Sequence, residues 1–363
     1  ISNADEPPRK NNQPPSYSLT SLPLDIVLNI LAFVPKRYYP ILSCVSKYLR
    51  SLVRSPEIYK TRSFFGKDSL YLCFLDKTKH PKTCQWFTLR RIDNNMNATE
   101  NLFVSIDVPS RPGHAFYSSS IIVIGTEIFF IPGCNNFSSG LWIFDTQSRK
   151  LRQGPNMQVK RLSTSVGLVG RKIYVIGGNR GDEIRAEVFD LKTQTWEAAP
   201  IPDAKGRFKW IGSENVSLDR KVCALSFHAG MVSYDPRDGS CQRSLMPIDK
   251  WWKTGMCVID NVLYVYYTRF GLMWYESELL LWRVVYGLDL GKARCVGMSE
   301  YYGKLAFLWE KPSLVDSESK EIWCRMIGLL RGEIGIHGTE EPSQLLGSVP
   351  SRYSLHHCLS LLG

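Results

Sequence analysis

The sequence predicts a small helical module followed by an all-β propeller of six blades. Apolar residues recur with helical spacing only near the N-terminus, between Leu19 and about Ser63. After Phe64, short runs of β-branched and aromatic residues alternate with clusters of Gly, Asp, Asn and Pro. These runs repeat, and a period of about 40 to 50 residues with four short strands per unit is typical of a β-propeller.

Composition places the chain among ordinary globular proteins. Of its 363 residues, 44% are hydrophobic and 22% are charged. No run approaches the roughly 20 consecutive apolar residues of a membrane-spanning helix, so we expect no membrane partner. Residues 1–18 are rich in Pro, Asn and Ser and are predicted to be a disordered tail. The chain is therefore divided into a tail (1–18), a helical module (19–63) and a β-propeller (64–363).

The net charge of +11 is unevenly distributed along the chain. Residues 1–210 carry 29 basic and 17 acidic side chains, whereas residues 211–363 carry 16 and 17. Nucleic acid is a common partner of basic proteins. The sequence has no basic run of five residues and no zinc-finger spacing, so no nucleic-acid partner is expected. An acidic protein that binds the N-terminal side explains the asymmetry equally well.

The helical module opens with start signals for a helix. Pro23 occupies a first helical position, Asp25 lies in the first turn, and Pro35 ends the helix. A second helix is predicted over Ile41–Leu49 and a short third one over Pro56–Arg62. A unit of about 45 residues rarely buries an adequate core alone. The pattern therefore indicates a module that binds another protein.

The repeat in the β region consists of an apolar core, an aromatic–acid pair, a polar turn and often a Trp. The equivalent core positions, which are 45, 49, 41 and 42 residues apart, are Ile128, Ile173, Val222, Leu263 and Leu305. The aromatic–acid pairs are Phe144–Asp145, Phe189–Asp190, Tyr234–Asp235 and Tyr275–Glu276. We expect each acid to cap its turn and each aromatic ring to pack between sheets.

Two further segments complete the predicted ring. An earlier, degenerate unit begins at Leu70–Leu75, which brings the number of units to six. The C-terminal stretch SRYSLHHCLSLL reads as a strand without a blade of its own. It is predicted to pair with residues 68–92, which would close the ring and remove an open sheet edge.

These segments resemble two known families. The runs LPLDIVLNIL, LSCVSKYLRSL and RSPEIYKTRS resemble an F-box. One β unit, with Gly177–Gly178, Glu187, Phe189–Asp190 and Trp196, resembles a complete kelch repeat. Elsewhere the kelch pattern decays, since Leu151 and Cys241 stand where Trp is expected. The order of polar tail, F-box and degenerate kelch propeller resembles the plant F-box/kelch-repeat proteins.

This resemblance implies the substrate-recognition subunit of an SCF-type cullin–RING ubiquitin ligase. The F-box would dock on a Skp-type adaptor and, through it, on a cullin, while propeller loops would bind a protein substrate for ubiquitination. Skp adaptors are acidic as a family, and residues 19–63 carry seven basic and two acidic side chains, so charge would steer the association. The ten cysteines show no CxxC spacing and read as free thiols of an intracellular protein, in cytoplasm, nucleus or both.

The candidate site residues form two groups. The expected adaptor-binding residues are Leu22, Pro23, Leu24, Leu28 and Leu31, with Leu42 and Val45 in support. Packing inside the module is an equal alternative for Leu28 and Leu42. The expected substrate-binding residues, on loops at one propeller face, are Phe137, Arg161, Asn179, Arg180, His228, Arg269 and Phe270. The alternative for each of these is an ordinary solvated loop residue.

The sequence offers no constellation for catalysis. Copper chemistry would need at least two His, a Tyr and a nearby thiol. The one His cluster, His356–His357–Cys358, lies on a predicted strand, which points neighbouring side chains to opposite faces. Gly-rich phosphate loops, GxSxG elbows and HExxH motifs do not occur.

We therefore predict a non-enzymatic chain with no catalytic residues, metal or cofactor. Two alternatives stay open: a kelch interaction scaffold outside any ligase, and a ligand-binding or enzymatic propeller.

Overall fold

The structure is a computed structural model that describes most of the chain. The described residues are 19–34, 38–55, 57–58, 61–62, 65, 68–79, 83–93, 99–109, 120–131, 137–146, 148–162, 164–178, 186–202, 214–226, 230–247 and 255–362. The predicted tail, residues 1–18, lies outside them.

The helical module contains a short 3-10 helix (Leu19–Ser21) and the helices α1 (Leu24–Phe33), α2 (Tyr39–Val45) and α3 (Lys47–Val53). The sequence predicts one helix over Ile41–Leu49, and this prediction is wrong. The structure has two helices there, α2 and α3, because the helix is interrupted at Ser46. Ser46 takes extended backbone angles, and its hydroxyl accepts a hydrogen bond from the backbone N–H of Leu49. It thus caps a new helix instead of continuing the old one.

The helices enclose a small apolar core of their own. Its buried members come from α1, from the start of α2, from α3 and from the following segment: Val27, Leu28, Leu31, Ala32, Tyr39, Leu49, Leu52, Val53 and Ile58. The fully buried Arg62 donates hydrogen bonds of 2.9 Å to the carbonyls of Ala32 and Val34 at the C-terminal end of α1. These carbonyls have no helical partner, so Arg62 ties the end of the module to its first helix.

Six antiparallel sheets follow, each forming one blade of the propeller. Blade 1 contains β1 (Asp68–Asp76), β2 (Thr83–Asp93), β3 (Thr99–Ile106) and the last strand of the chain, β25 (Tyr353–Leu362). Blade 2 contains β4 (Ser120–Ile124), β5 (Glu127–Ile131), β6 (Trp142–Asp145) and β7 (Lys150–Gln153). Blade 3 contains β8 (Ser165–Val169), β9 (Lys172–Ile176), β10 (Ala186–Asp190) and β11 (Thr195–Ala199).

The remaining three blades continue the same order. Blade 4 contains β12 (Glu214–Leu218), β13 (Lys221–Ser226), β14 (Gly230–Tyr234) and β15 (Cys241–Ser244). Blade 5 contains β16 (Met256–Ile259), β17 (Val262–Tyr267), β18 (Gly271–Glu276) and β19 (Leu281–Val284). Blade 6 contains β20 (Arg294–Tyr301), β21 (Lys304–Pro312), β22 (Ser319–Arg331), β23 (Ile336–Glu340) and β24 (Gln344–Pro350), where β22 pairs with both β23 and β24. The six-bladed prediction is confirmed.

The ring is closed by strand β25. It pairs antiparallel with β1, from Asp68 opposite Leu362 to Asp76 opposite Tyr353. In blade 1 it takes the inner position that β4, β8, β12, β16 and β20 occupy in the other blades. These six inner strands contact one another in a continuous circuit, so none is left as a free edge.

The blades are held together by six apolar clusters, each shared by two neighbouring blades. The repeated aromatic–acid pair serves this packing as the sequence predicts. Phe189 and Tyr234 are fully buried, and the hydroxyl of Tyr234 donates to the carbonyl of Pro200 at 2.7 Å. The carboxylate of Asp190 accepts the backbone N–H of Lys192 at 2.8 Å and so caps the following turn.

The strand order defines two faces. We number the strands of each blade outward from the inner one. The linker face is the side of the propeller that carries the turns between first and second strands, and the chain enters β1 on this side at Asp68. The loop face carries the connections between second and third strands and those between blades. Because the two ends of a strand lie at opposite faces, the loop face lies opposite the point where the helical module is attached.

The turn acid of blade 4 predicts a pH-dependent stability. Hydrogen bonds donated by Arg237 lower the pKa of the buried Asp235 to about 2. A carboxyl group whose pKa is lower in the folded than in the unfolded state stabilises the fold above its unfolded-state pKa. This stabilisation is lost as the pH falls from about 4 to about 2. We expect Asp235→Asn to lower the free energy of unfolding by about 2 kcal/mol at pH 7, and the difference to shrink towards pH 2.

Urea unfolding of both proteins between pH 2 and 7 measures this difference. Glu278→Gln, in the exposed turn of blade 5, is the control and should change stability little at either end. If the difference in free energy of unfolding between wild type and Asp235→Asn did not change with pH, the lowered pKa of Asp235 would be contradicted.

Candidate functional site

Helix α1 carries apolar residues on two of its sides, although only one of these sides faces the core of the module. Val27, Leu28 and Leu31 are buried, whereas Ile26 and Ile30 are exposed. Such a helix has one face for its own core and a second face for another partner. On the outer face, Ile26, Ile30 and Phe33 follow one another at i, i+4 and i+7.

Helix α2 also exposes apolar side chains. Ile41 is 62% exposed and Val45 67%, and Cys44 between them is also exposed. The three residues lie at i, i+3 and i+4, which is one side of the helix. We name the whole set the α1–α2 surface, and its members are Leu22, Pro23, Leu24, Ile26, Ile30, Phe33, Ile41 and Val45.

The residues predicted to bind an adaptor separate into exposed and buried ones. Leu22, Pro23, Leu24 and Val45 lie on the α1–α2 surface, and their role there stays a prediction. Leu42 is partly buried and packs against the core of the module. Leu28 and Leu31 are buried within that core. The burial of Leu28 favours the alternative of internal packing, and the placement of Leu31 is corrected from a partner contact to internal packing.

Four exposed members of the surface escaped the sequence reasoning: Ile26, Ile30, Phe33 and Ile41. The helical spacing of Ile26, Ile30 and Phe33 was visible in the sequence, but so was that of the buried Val27, Leu28 and Leu31. Periodicity alone does not tell which of two apolar stripes faces inward.

On the propeller, two predicted substrate contacts lie together in the connection between β17 and β18 on the loop face. The guanidinium of Arg269 lies 5.5 Å from the ring centroid of Phe270. Phe270 packs edge-on against the buried Tyr267, with 6.1 Å between ring centroids. This contact holds an exposed cation–aromatic pair in place.

The other predicted loop residues differ in their placement. Phe137, in the connection between β5 and β6, is partly buried next to the bridge that joins Ser138 to Arg161. Asn179, Arg180 and His228 lie outside the described residues.

Arg161 requires a correction, because it is fully buried. Its guanidinium forms an ion pair of 2.7 Å with Glu187 and donates to the carbonyl of Gly177. Glu187 in turn accepts the backbone N–H groups of Gln158 and Val159. A buried, fully paired arginine of this kind joins blades 2 and 3 and offers nothing to a substrate.

The double glycine of blade 3 has a steric reason beside this pair. Gly178 has a φ of +75°, and a Cβ at this position would lie 2.6 Å from the carbonyl oxygen of Leu162. The chain passes too close here for any side chain.

Among the described residues, no group of three or more His, Cys, Asp or Glu side chains is arranged to hold a metal ion. Burial raises the pKa of the Cys223 and Cys324 thiols to about 12, which makes them poor nucleophiles. No helix in the described part of the chain combines the length and apolarity that crossing a membrane requires.

Comparison with known proteins agrees with both parts of the structure. A family model described as F-box domain matches residues 19–61, and one described as FKB95, Kelch-repeats domain matches residues 86–343. The F-box/kelch-repeat protein At2g44630 of Arabidopsis thaliana is 72% identical to this chain, with 100% of both chains covered. At2g44700 of the same plant is 61% identical over 100% of both. At2g22030 is 42% identical over 95% of this chain and 94% of its own.

The buried ion pair of blade 3 yields a stability prediction. We expect Arg161→Met to lower the free energy of unfolding by about 3 to 5 kcal/mol, because it leaves the carboxylate of Glu187 buried without its charge partner. The matched control is Arg152→Met, which breaks the exposed pair between Arg152 and Glu127 and should cost at most about 1 kcal/mol.

Denaturant unfolding of both variants measures the two effects. Similar losses for Arg161→Met and Arg152→Met would remove the structural role assigned to Arg161.

Proposed function

The chain belongs to the F-box/kelch-repeat protein family, and from that premise we propose that it is the substrate-recognition subunit of an SCF-type cullin–RING ubiquitin ligase. In this function the α1–α2 surface docks on a Skp-type adaptor, which connects the chain to a cullin. The loop face of the propeller binds a protein substrate for ubiquitination. In this function catalysis belongs to the partner subunits, and the chain contributes the proximity of substrate and ligase.

The observation that carries this proposal is the exposed α1–α2 surface around an otherwise complete small core. Soluble proteins rarely expose contiguous apolar patches, and such patches commonly mark a protein interface. Apolar anchors at the centre of an interface supply most of its affinity. The exposed Lys47 and Arg54 on or beside α3 would steer an acidic adaptor towards this surface.

The two faces of the propeller support a separation of adaptor binding from substrate binding. The chain of the helical module joins the propeller at Asp68, on the linker face. The exposed pair Arg269–Phe270 lies on the opposite face. A substrate on the loop face would therefore not compete with the attachment of the module.

We further propose that the chain works in the cytoplasm, the nucleus or both. The buried Cys223 and Cys324 are free thiols, which is the usual state in reducing compartments. A fluorescent fusion of the full chain in plant cells tests this location, and a signal confined to the secretory pathway would contradict it.

Two substitutions in the first turn of α1 test adaptor docking. Leu24→Asp and Ile26→Asp each place a charge on the α1–α2 surface, while a carboxylate in a first helical turn favours the helix itself. We expect each variant to weaken co-purification with a Skp-type adaptor roughly tenfold or more, with unfolding unchanged.

The control is Leu245→Asp, which changes an exposed apolar residue of the propeller and should leave adaptor binding intact. Wild type that folds but does not bind a Skp-type adaptor would contradict the proposal. Adaptor binding without recruitment of a cullin would leave an interaction scaffold instead of a ligase receptor.

The exposed Cys44 gives an independent footprint of the same interface. Because it lies between Ile41 and Val45, we expect bound adaptor to slow its alkylation roughly tenfold, since a covered thiol reacts only when the complex opens. Mass spectrometry of the labelled peptides measures the rate, with Cys84 of blade 1 as the internal control. Unchanged labelling of Cys44 in an intact complex would exclude α2 from the interface.

A further inference from the structure

The hairpin between β21 and β22 exposes two adjacent apolar side chains on the loop face. We name residues 313–318 the blade-6 tip. Within it, Leu314 is 98% exposed and Val315 96%. Since neither side chain packs against the protein, neither contributes to the stability of the propeller.

The blade-6 tip is an ordered turn. The hydroxyl of Ser313 accepts the backbone N–H groups of Val315 and Asp316, both at 3.3 Å. The carboxylate of Asp316 accepts the N–H of Glu318 at 2.9 Å. The carbonyl of Glu318 accepts the N–H of Ser351 at 2.7 Å, which fixes the tip to the segment before β25. The two apolar side chains are thus presented on a backbone that is already ordered, which lowers the entropy lost on binding.

The base of the same hairpin is anchored by an almost buried ion pair. The ammonium of Lys320 lies 2.7 Å from a carboxylate oxygen of Glu310 and also donates to the carbonyl of Tyr353. The other oxygen of Glu310 accepts the N–H of Leu355 at 2.6 Å. These bonds connect the hairpin to the strand that closes the ring.

A second set of contacts stiffens the side of the hairpin that faces blade 5, where Trp309 packs against the shared cluster. The indole rings of Trp309 and Trp323 stack, with 6.5 Å between their centroids. The ammonium of Lys311 lies 4.8 Å from the centroid of Trp323. The tip therefore projects from a rigid stem.

The charges beside the apolar pair indicate the character of its partner. Asp316 and Glu318 are exposed within the tip, although the chain as a whole carries a net charge of +11. An apolar projection with neighbouring carboxylates is complementary to an apolar pocket with basic residues at its rim.

We propose that the blade-6 tip is a principal substrate anchor of this protein. Leu314 and Val315 insert into an apolar pocket of a folded protein substrate, and Asp316 and Glu318 meet Lys or Arg side chains at the rim of that pocket. This inference rests on the proposed function, and it specifies the kind of substrate that the loop face recognises.

The test compares three full-length chains, each purified with its Skp-type adaptor. They are wild type, the double variant Leu314→Ser/Val315→Ser, and the control Ile334→Ser. Ile334 is also highly exposed on blade 6, but it lies on the linker face. Each complex is used to capture proteins from a proteasome-inhibited plant extract. Proteins that depend on the tip are then produced in pure form for direct binding measurements.

We expect equal adaptor in all three complexes and a loss of roughly tenfold or more of at least one captured protein from the double variant alone. Direct binding of that purified protein should show the same loss and should weaken as salt increases, because the rim contacts are charged. Three outcomes overturn the anchor: the double variant retains every partner, wild type captures adaptor only, or binding is independent of salt.

Two further outcomes separate this inference from its premise. Sedimentation that shows a dimer of wild type but not of the double variant would assign the tip to a second copy of the chain and overturn the substrate anchor. Failure of wild type to hold the adaptor would instead contradict the proposed function. If the complex holds the adaptor normally but the tip substitutions do not change which proteins it captures, only the inference about the blade-6 tip is contradicted.

Discussion

The pairing of the last strand with the first is the constraint on which the propeller depends. Strand β25 completes blade 1, and it also contributes to the packing on both sides of that blade. Leu355 belongs to the cluster shared with blade 6, and Leu361 to the cluster shared with blade 2. Because every cluster is shared, no blade has a complete core without its neighbours. The ring is therefore a cooperative unit, although its repeats are local in sequence.

Shared packing also explains how the repeat can decay and still fold. Leu151 and Cys241 stand where a kelch repeat has Trp, yet both pack against an interblade cluster. An apolar side chain of suitable size satisfies the site, as core substitutions generally show. Each aromatic–acid pair has two structural roles, which explains why the pairs are still recognisable in the sequence. They fill the space between blades and fix the turns, so the repeat of blades 2 to 5 remained visible in the sequence.

The sequence could not show which side of an element faces inward or which distant charges meet. Helix α1 has two apolar stripes, and only the packing of the rest of the module decides that Leu31 is buried and Ile30 exposed. Arg161 reads as a loop residue until the fold brings Glu187, 26 residues later, within 2.7 Å. These are tertiary decisions that residue type and spacing leave undetermined.

The α1–α2 surface and the blade-6 tip are supported by different parts of the structure. The α1–α2 surface rests on the core of the helical module, which includes Arg62 but no propeller strand. The blade-6 tip rests on the ion pair Lys320–Glu310 and on β25. Changes at distant sites without shared partners usually add independently. The energies of adaptor and substrate binding should therefore be separable, so that either surface could change its partner while the fold and the other surface stay as they are.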